Sequence, residues 1–345
     1  MKIISGRVSH RHFFFKMKEI WLEKYRPKLL DDVVGNTQII SRLQSLQTNG
    51  NMPHILLVGP PGTGKTTSIL ALARSLLGSY YKHGVIELNA SDDRGIDVVR
   101  DRIKGFAREK VELPDGKHKI IILDEVDSMT ESAQQALRRL MEVYSNTTRF
   151  ALACNQSTKI IDPIQSRCAI IRFTKLKDAD ILKRLKFICE KENVVYEENG
   201  LETLILTAEG DMRNAINNLQ SAASGFGIIN RENVIQVCDM PPPETITEVI
   251  RSCLSGDWNK AHTLGYQLFE EGYTPLDIIS IMKTLLRRLS LAEIISLEYL
   301  KLISRYQFNL LDGVNSKLQF DALLASLCSV SIQICDTKER MLTIE

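Results

Sequence analysis

The chain has 345 residues, 44% of them hydrophobic and 25% charged, a balance ordinary for a globular protein of two or three domains. A formal net charge of +2 excludes a polycation, so any contact with nucleic acid has to come from a local basic face. The seven cysteines are scattered without a CxxC pair, which argues against a zinc module or disulfide framework and fits reduced thiols, and no apolar run approaches the ~18 residues of a membrane span.

Residues 1–16 carry Lys2, Arg7, Arg11 and Lys16, no acid, and a Phe13-Phe14-Phe15 cluster. Such a basic leader, without the apolar core of a secretory signal, is expected to be a disordered extension before Met17, with a transit peptide as the alternative. Trp21-Leu22-Glu23-Lys24-Tyr25-Arg26-Pro27 reads as extended or turning, because Pro27 cannot continue a helix and restricts the residue before it. Asp32-Val33-Val34-Gly35-Asn36 follows, then a helical pattern through Ile39, Ile40, Leu43 and Leu46. A turn of this kind can wrap an adenine with main-chain hydrogen bonds and apolar side chains. A surface brace is the other reading.

The apolar run Ile55-Leu56-Leu57-Val58 reads as a buried strand and Ser68 to Ala73 as a helix. Between them lies Gly59-Pro60-Pro61-Gly62-Thr63-Gly64-Lys65-Thr66-Thr67, which fills every fixed position of GxxxxGK[ST]. Without side chains at Gly59, Gly62 and Gly64, successive backbone N–H groups can turn inward around a phosphate. The helix that starts here adds free N–H groups and the positive end of its dipole. Lys65 can reach the β- and γ-phosphates, and the Thr66 hydroxyl can ligate Mg²⁺.

A second strand, Val85-Ile86-Glu87-Leu88, runs into Asn89 to Gly95, and a helix is predicted next, with Ile96, Val99, Ile103 and Phe106 on one face. Arg100, Lys104 and Arg108 form a basic stripe beside that face, which on its own is as well explained by solvation. Pro114-Asp115-Gly116 marks a turn. Ile120-Ile121-Ile122-Leu123 is the continuous apolar run of a central parallel strand, and it ends in Asp124-Glu125-Val126-Asp127. Carboxylates there face the ligand crevice of an open α/β sheet. Asp124 can hold the Mg²⁺ shell and Glu125 can polarise an attacking water. After a helix from Ser132 to Val143, strand Phe150 to Cys154 ends in Asn155, whose amide can orient that water or sense the γ-phosphate. Lys159 lies just beyond, and Arg167 precedes a short strand from Ala169 to Phe173.

From Lys175 to Val237 strand signals stop. Asp211 is a plausible N-cap, with Met212, Ala215, Ile216 and Leu219 on one face and Arg213 to the side. Pro241-Pro242-Pro243 marks a boundary, and only helical patterns follow to about Val330. The pattern predicts an α/β nucleotide domain, a small helical domain and a second helical domain.

Taken together these residues resemble the AAA+ ATPases, and within them the small subunits of the eukaryotic clamp loader, replication factor C. The resemblance runs from about Trp21 to Val330 and rests on WLEKYRP at 21–27, GPPGTGKTTS at 59–68, LNASDDRGIDVVR at 88–100, IIILDEVDSMT at 120–130, QQALRRLME at 134–142, CNQSTKII at 154–161, QSRC at 165–168 and GDMRNAINNLQ at 210–220. DEVD stands where DEAD is usual, with both acids kept. The resemblance implies a P-loop AAA+ domain, a parallel sheet flanked by helices, over residues 17–174, a helical lid domain over 175–240 and an all-α collar over 241–345.

It also implies roles that spacing alone does not give. Arg167 resembles an arginine finger that reaches the ATP of a neighbouring subunit, Asn155 a sensor-1 residue and Arg213 a sensor-2 residue. Leu22 and Val34 fall where the family closes over the adenine end, and Arg26 is a further ATP-binding position. Arg94, Arg100 and Lys159 match positions facing the DNA backbone. The implied protein is a nuclear ATPase subunit of a heteropentamer that uses ATP and Mg²⁺ to load the sliding clamp PCNA onto primer–template DNA, with no membrane partner. Two rivals are a different AAA+ motor, such as a junction-migrating helicase, and a structural subunit that binds ATP without turnover. SRC and DDRGID speak against the first, and intact Lys65 and Glu125 against the second.

Overall fold

The computed structural model describes residues 19–90, 99–114, 116–287, 289, 291–313 and 316–342. The chain forms two compact units that divide between Val234 and Ile235.

The first unit is built on five parallel strands, β1 (Ile55–Val58), β2 (Val85–Asn89), β3 (Lys119–Asp124), β4 (Thr148–Cys154) and β5 (Ala169–Arg172), in the order β2-β3-β4-β1-β5. The central strands β1, β3 and β4 are buried almost along their whole length, because helices cover both faces, while the edge strands β2 and β5 are partly exposed. Ile55, Leu57, Ile120, Ile122, Ala151 and Ala153 point to one face, against α1 (Thr37–Asn49) and α2 (Lys65–Leu77). Leu56, Val58, Ile121, Leu123, Phe150 and Leu152 point to the other, against α3 (Glu131–Val143) and Ile103. Each fully buried aliphatic side chain here contributes roughly 1.5–3 kcal/mol relative to exposure.

Three further helices, α4 (Asp178–Glu192), α5 (Glu198–Ala208) and α6 (Met212–Phe226), form a helical subdomain of the same unit. Asp211 caps α6, its carboxylate accepting from Arg213 N at 2.8 Å and Asn214 N at 3.2 Å. Ala215, Ile216 and Leu219 are buried as the period requires. Of the two readings of Trp21–Pro27, extended or turning, the second holds, since Trp21–Lys24 is one helical turn that ends before Pro27. One feature departs from the sequence reading. Val195–Tyr196 and Ile228–Ile229 pair as a two-residue parallel bridge, too short to leave a periodic signal.

The second unit is all helical: α7 (Pro243–Leu254), α8 (Trp258–Glu270), α9 (Pro275–Leu286), α10 (Glu293–Leu311) and α11 (Lys317–Leu342). Pro243 and Pro275 each sit in the first helical turn, where the missing N–H costs nothing. A capping box between Thr274 and Asp277 starts α9. Ile246, Val249, Ile278, Met282, Tyr299, Phe320 and Leu324 form its core, and the buried Tyr299 hydroxyl is satisfied by Ser331 Oγ at 2.6 Å.

Candidate active site

Register brings the candidate residues together. β1 lies beside β4 with Val58 opposite Cys154, so the glycine loop leaves the sheet beside Asn155. β4 also pairs with β3, with Leu123 opposite Leu152, so Asp124 and Glu125 emerge on the other side of the same strand end. The crevice at the carboxyl ends of β1, β3 and β4 is where ligands of such sheets bind.

Lys65 is 8% exposed. Its ammonium donates to Gly59 O at 2.7 Å, Pro60 O at 2.8 Å and Asn155 Oδ1 at 3.0 Å, so all three N–H bonds are directed by the loop and the β4 tip. Burial pulls its pKa below the usual lysine value, and the charges of Asp124 and Asp127 push the other way. Thr66 Oγ1 donates to Asp124 Oδ2 at 2.6 Å, while Asp124 Oδ1 accepts from Glu125 N at 2.9 Å. Two hard oxygen groups in contact, at the start of a helix and the end of a strand, suit Mg²⁺, which keeps several waters and takes few protein ligands. Glu125 holds a left-handed backbone at φ +52°, an uncommon conformation for a residue with a side chain and one that turns it out of the strand direction.

The loop glycines are there for two different reasons. Gly62 and Gly64 have φ of +64° and +94°, which L side chains resist. At Gly59 the obstacle is space, since a Cβ would stand 2.5 Å from Phe173 O. At Gly62 a Cβ would stand 1.6 Å from Asp211 Oδ1, and Gly62 O accepts from Met212 N at 3.2 Å. The phosphate loop and the start of α6 are thus in direct contact, which carries Arg213 to the site.

One cavity is lined by Leu22, Arg26, Val34, Pro61, Gly62, Thr63, Gly64, Lys65, Thr66, Thr67, Asp124, Glu125, Asn155 and Arg213. These are the sequence-predicted residues of the nucleotide set, with Gly59 and Pro60 beneath, supplying carbonyls to Lys65. Arg167 does not line this cavity. It is exposed, donates to Pro163 O at 2.7 Å and pairs with Glu142, which also accepts from Arg138 Nε at 3.2 Å. Those two guanidiniums hold the Glu142 carboxyl below its ordinary pKa, with the Arg138 hydrogen bond first. Lys159 is exposed on a short helical turn fixed from below by buried Gln134, which donates to Lys159 O at 3.0 Å and accepts from Ile161 N at 2.9 Å. Arg94 and the Arg100 side chain lie outside the described residues.

Sequence reasoning missed two polar groups. Asp127 Oδ2 accepts from Asn155 N and Gln156 N, each at 3.2 Å, and so fixes the Asn155 tip to the acidic turn. Its place in DEVD was a usable signal. Arg184 of α4 lines the cavity and donates to Tyr25 O, a contact 159 positions apart that no local pattern announces.

Fold and site together define a P-loop ATPase of the AAA+ kind. Residues 55–176 match the ATPase family associated with various cellular activities, residues 183–224 the RCF1/5-like AAA+ ATPase lid domain and residues 241–326 the replication factor C C-terminal domain. A probable replication factor C subunit 2 of Dictyostelium discoideum is 56% identical over 315 residues, covering 91% of this chain and 93% of the relative. Replication factor C subunit 4 of Saccharomyces cerevisiae is 52% identical over 308 residues, covering 89% and 95%. A replication factor C small subunit of Methanothermobacter thermautotrophicus is 46% identical over 311 residues, covering 88% and 96%. Among solved structures, the RuvB Holliday junction branch migration motor of Thermotoga maritima aligns with a TM-score of 0.52 at 18% identity over 66% of this chain and 78% of that one, a likeness of fold alone. The chain belongs to the replication factor C small subunits, within the AAA+ ATPases. No helix among the described residues is long and apolar enough to cross a membrane.

Proposed function

We propose that this chain is an ATPase subunit of a heteropentameric clamp loader, acting in the nucleus to place the sliding clamp PCNA on primer–template DNA. The observation that carries the reading is the joint hold of Lys65 by the glycine loop and Asn155, beside Asp124 and Glu125, in a chain whose full-length relatives are replication factor C subunits. On this reading residues 17–174 form the AAA+ domain, 175–240 the lid and 241–345 the collar that holds the subunits together.

ATP sits in the cavity with its phosphates on the backbone of residues 59–66 and its base toward Leu22, Arg26 and Val34. Thr66 and Asp124 would hold Mg²⁺, which when bound would supply charge neutralisation to the phosphates. Glu125 polarises the attacking water, and Asn155 orients it and shares the Lys65 ammonium. Arg213 reports the phosphate state to α6. Arg167, exposed and apart from this cavity, acts on the ATP of the adjoining subunit. Arg94, Arg100 and Lys159 contact DNA phosphates. The reaction breaks the β–γ phosphoanhydride by positioning and charge neutralisation.

The test is turnover by the reconstituted pentamer with and without clamp and primer–template. Stimulation by both together, lost with Glu125→Gln in this subunit, is expected. Unstimulated turnover coupled to strand displacement would instead support a junction motor, and stimulation unchanged by Glu125→Gln would support a subunit that only binds ATP.

A further inference from the structure

The acidic turn after β3 and the tip of β4 carry the two groups assigned to the attacking water, Glu125 and Asn155, and the sheet ladder does not reach them. The β3–β4 pairing ends at Leu123 opposite Leu152, short of both residues. Beyond it each strand end is held on its outer side: Asn89 lies opposite Asp124, and Gly59 N donates to Cys154 O at 3.2 Å. Asp127 bridges the gap between the two ends. Its Oδ2 accepts from Asn155 N and from Gln156 N, each at 3.2 Å. A carboxylate that takes backbone N–H groups makes charge-assisted contacts, stronger than neutral ones.

The two sides of this bridge differ. Val126, just before Asp127, is fully buried in the core on the α3 face of the sheet. Ser128, just after it, donates to Glu125 O from both N and Oγ, each at 2.8 Å, so the turn closes on Glu125. Asp127 therefore stands on a fixed mount. Asn155 and Gln156 are exposed, so without the carboxylate their N–H groups would turn to water and the tip would lose its tie to the turn. From that tip Asn155 Oδ1 accepts from Lys65 Nζ at 3.0 Å. Asp127 itself does not line the nucleotide cavity.

We propose that Asp127 is a positioning residue for hydrolysis, which holds the Asn155 main chain so that the Asn155 amide stays on Lys65 and at a set distance from Glu125. It acts through Asn155 and not on ATP. Its loss should slow the chemical step and spare ATP binding, because Lys65 keeps its bonds to Gly59 O and Pro60 O and the loop backbone is untouched.

The inference rests on the roles proposed for Asn155 and Glu125, and the experiment separates the two. Pentamers in which only this subunit varies are assayed for bound ATP and, by rapid quench, for the hydrolysis rate at its site. The variants are Asp127→Ala, Asp127→Asn, Asn155→Ala and the double change to alanine. Asp127→Ala should slow hydrolysis roughly ten- to hundredfold, the range for hydrogen bonds to a charged group, with ATP affinity held within about threefold. Asp127→Asn keeps an oxygen in place without the charge and should lose roughly three- to tenfold, which serves even if the alanine variant folds poorly. The double variant should be about as slow as the slower single one, because the group that Asp127 positions is already gone. An unchanged rate in either Asp127 variant overturns the proposal. So do losses that multiply in the double variant, or an ATP affinity that falls as far as the rate. If Asn155→Ala hydrolyses ATP at the wild-type rate, the role given to Asn155 falls, whatever Asp127 does.

Discussion

Replacing Gly62 with alanine probes the join between the phosphate loop and the helical subdomain. Gly62 has φ +64°, so an alanine there pays about 1 kcal/mol or more for a left-handed backbone. Its Cβ would also meet Asp211 Oδ1 at 1.6 Å and Cγ at 2.2 Å, which no small adjustment relieves. The Asp211 carboxylate must leave, and with it the cap on Arg213 N and Asn214 N, at a further cost of about 1 kcal/mol. The sum is about 2–3 kcal/mol, or roughly 4–12 °C in Tm for a unit of this size. Asp211→Ala alone should cost about 1 kcal/mol. In that background Gly62→Ala should cost only its backbone strain, so the two changes should fall short of additivity by about 1 kcal/mol. Urea unfolding of the four variants measures the cycle. Additive losses, or a neutral Gly62→Ala, would refute the contact and with it the route by which α6 delivers Arg213.

Three other outcomes are expected. Arg167→Ala should leave nucleotide binding at its own loop unchanged and lower turnover at the adjoining site by ~10³–10⁵, which mixing experiments with one mutant subunit per pentamer can locate. A loss confined to its own site would contradict action in trans. Changing Arg94, Arg100 and Lys159 together to alanine should weaken primer–template binding alike for all sequences and flatten the logarithmic salt slope by roughly three, at about 0.9 per phosphate contact. An unchanged slope would leave these side chains as solvated cations. His54, whose Nδ1 accepts from Phe150 N at 3.1 Å, has its pKa lowered from 6.5 to about 4 by burial and then by Arg149. The unfolded chain therefore takes up this proton first, stability should fall as pH drops from about 6.5 to about 4, and His54→Asn, which keeps an acceptor, should remove that part of the dependence in urea midpoints measured across the window.

Much of the sheet is legible because the central strands β1, β3 and β4 carry apolar runs that each lead into a residue with obvious chemistry. Lys65, Asp124, Glu125 and Asn155 stand at strand ends or loop positions that a one-dimensional pattern can locate, and parallel register then assembles them. What the pattern left out depends on residues distant in sequence. Arg184 has nothing around it to separate it from any helix-surface arginine until α4 is laid against Tyr25. Gly62 reads as a phosphate-loop glycine, and only the packing of α6 adds the second reason that no side chain fits. The bridge between Val195 and Ile228 is hidden by its length, two residues a side. Arg167 was placed by family likeness rather than by spacing, and its exposed ion pair with Glu142 leaves its role to the assembled complex.

The central claim is that this chain's own loop binds ATP and that Glu125 turns it over. The direct measurement is rapid-quench analysis of pentamers in which only this subunit carries Glu125→Gln or Lys65→Ala, scoring bound ATP and hydrolysed product at its site. Glu125→Gln should bind ATP as the wild type does and form almost no product, because only the water-polarising group is changed. Lys65→Ala should lose the ATP itself, since a direct phosphate partner disappears. If Glu125→Gln loses affinity as severely as Lys65→Ala, or if it hydrolyses ATP at the wild-type rate, the assignment of the site is wrong.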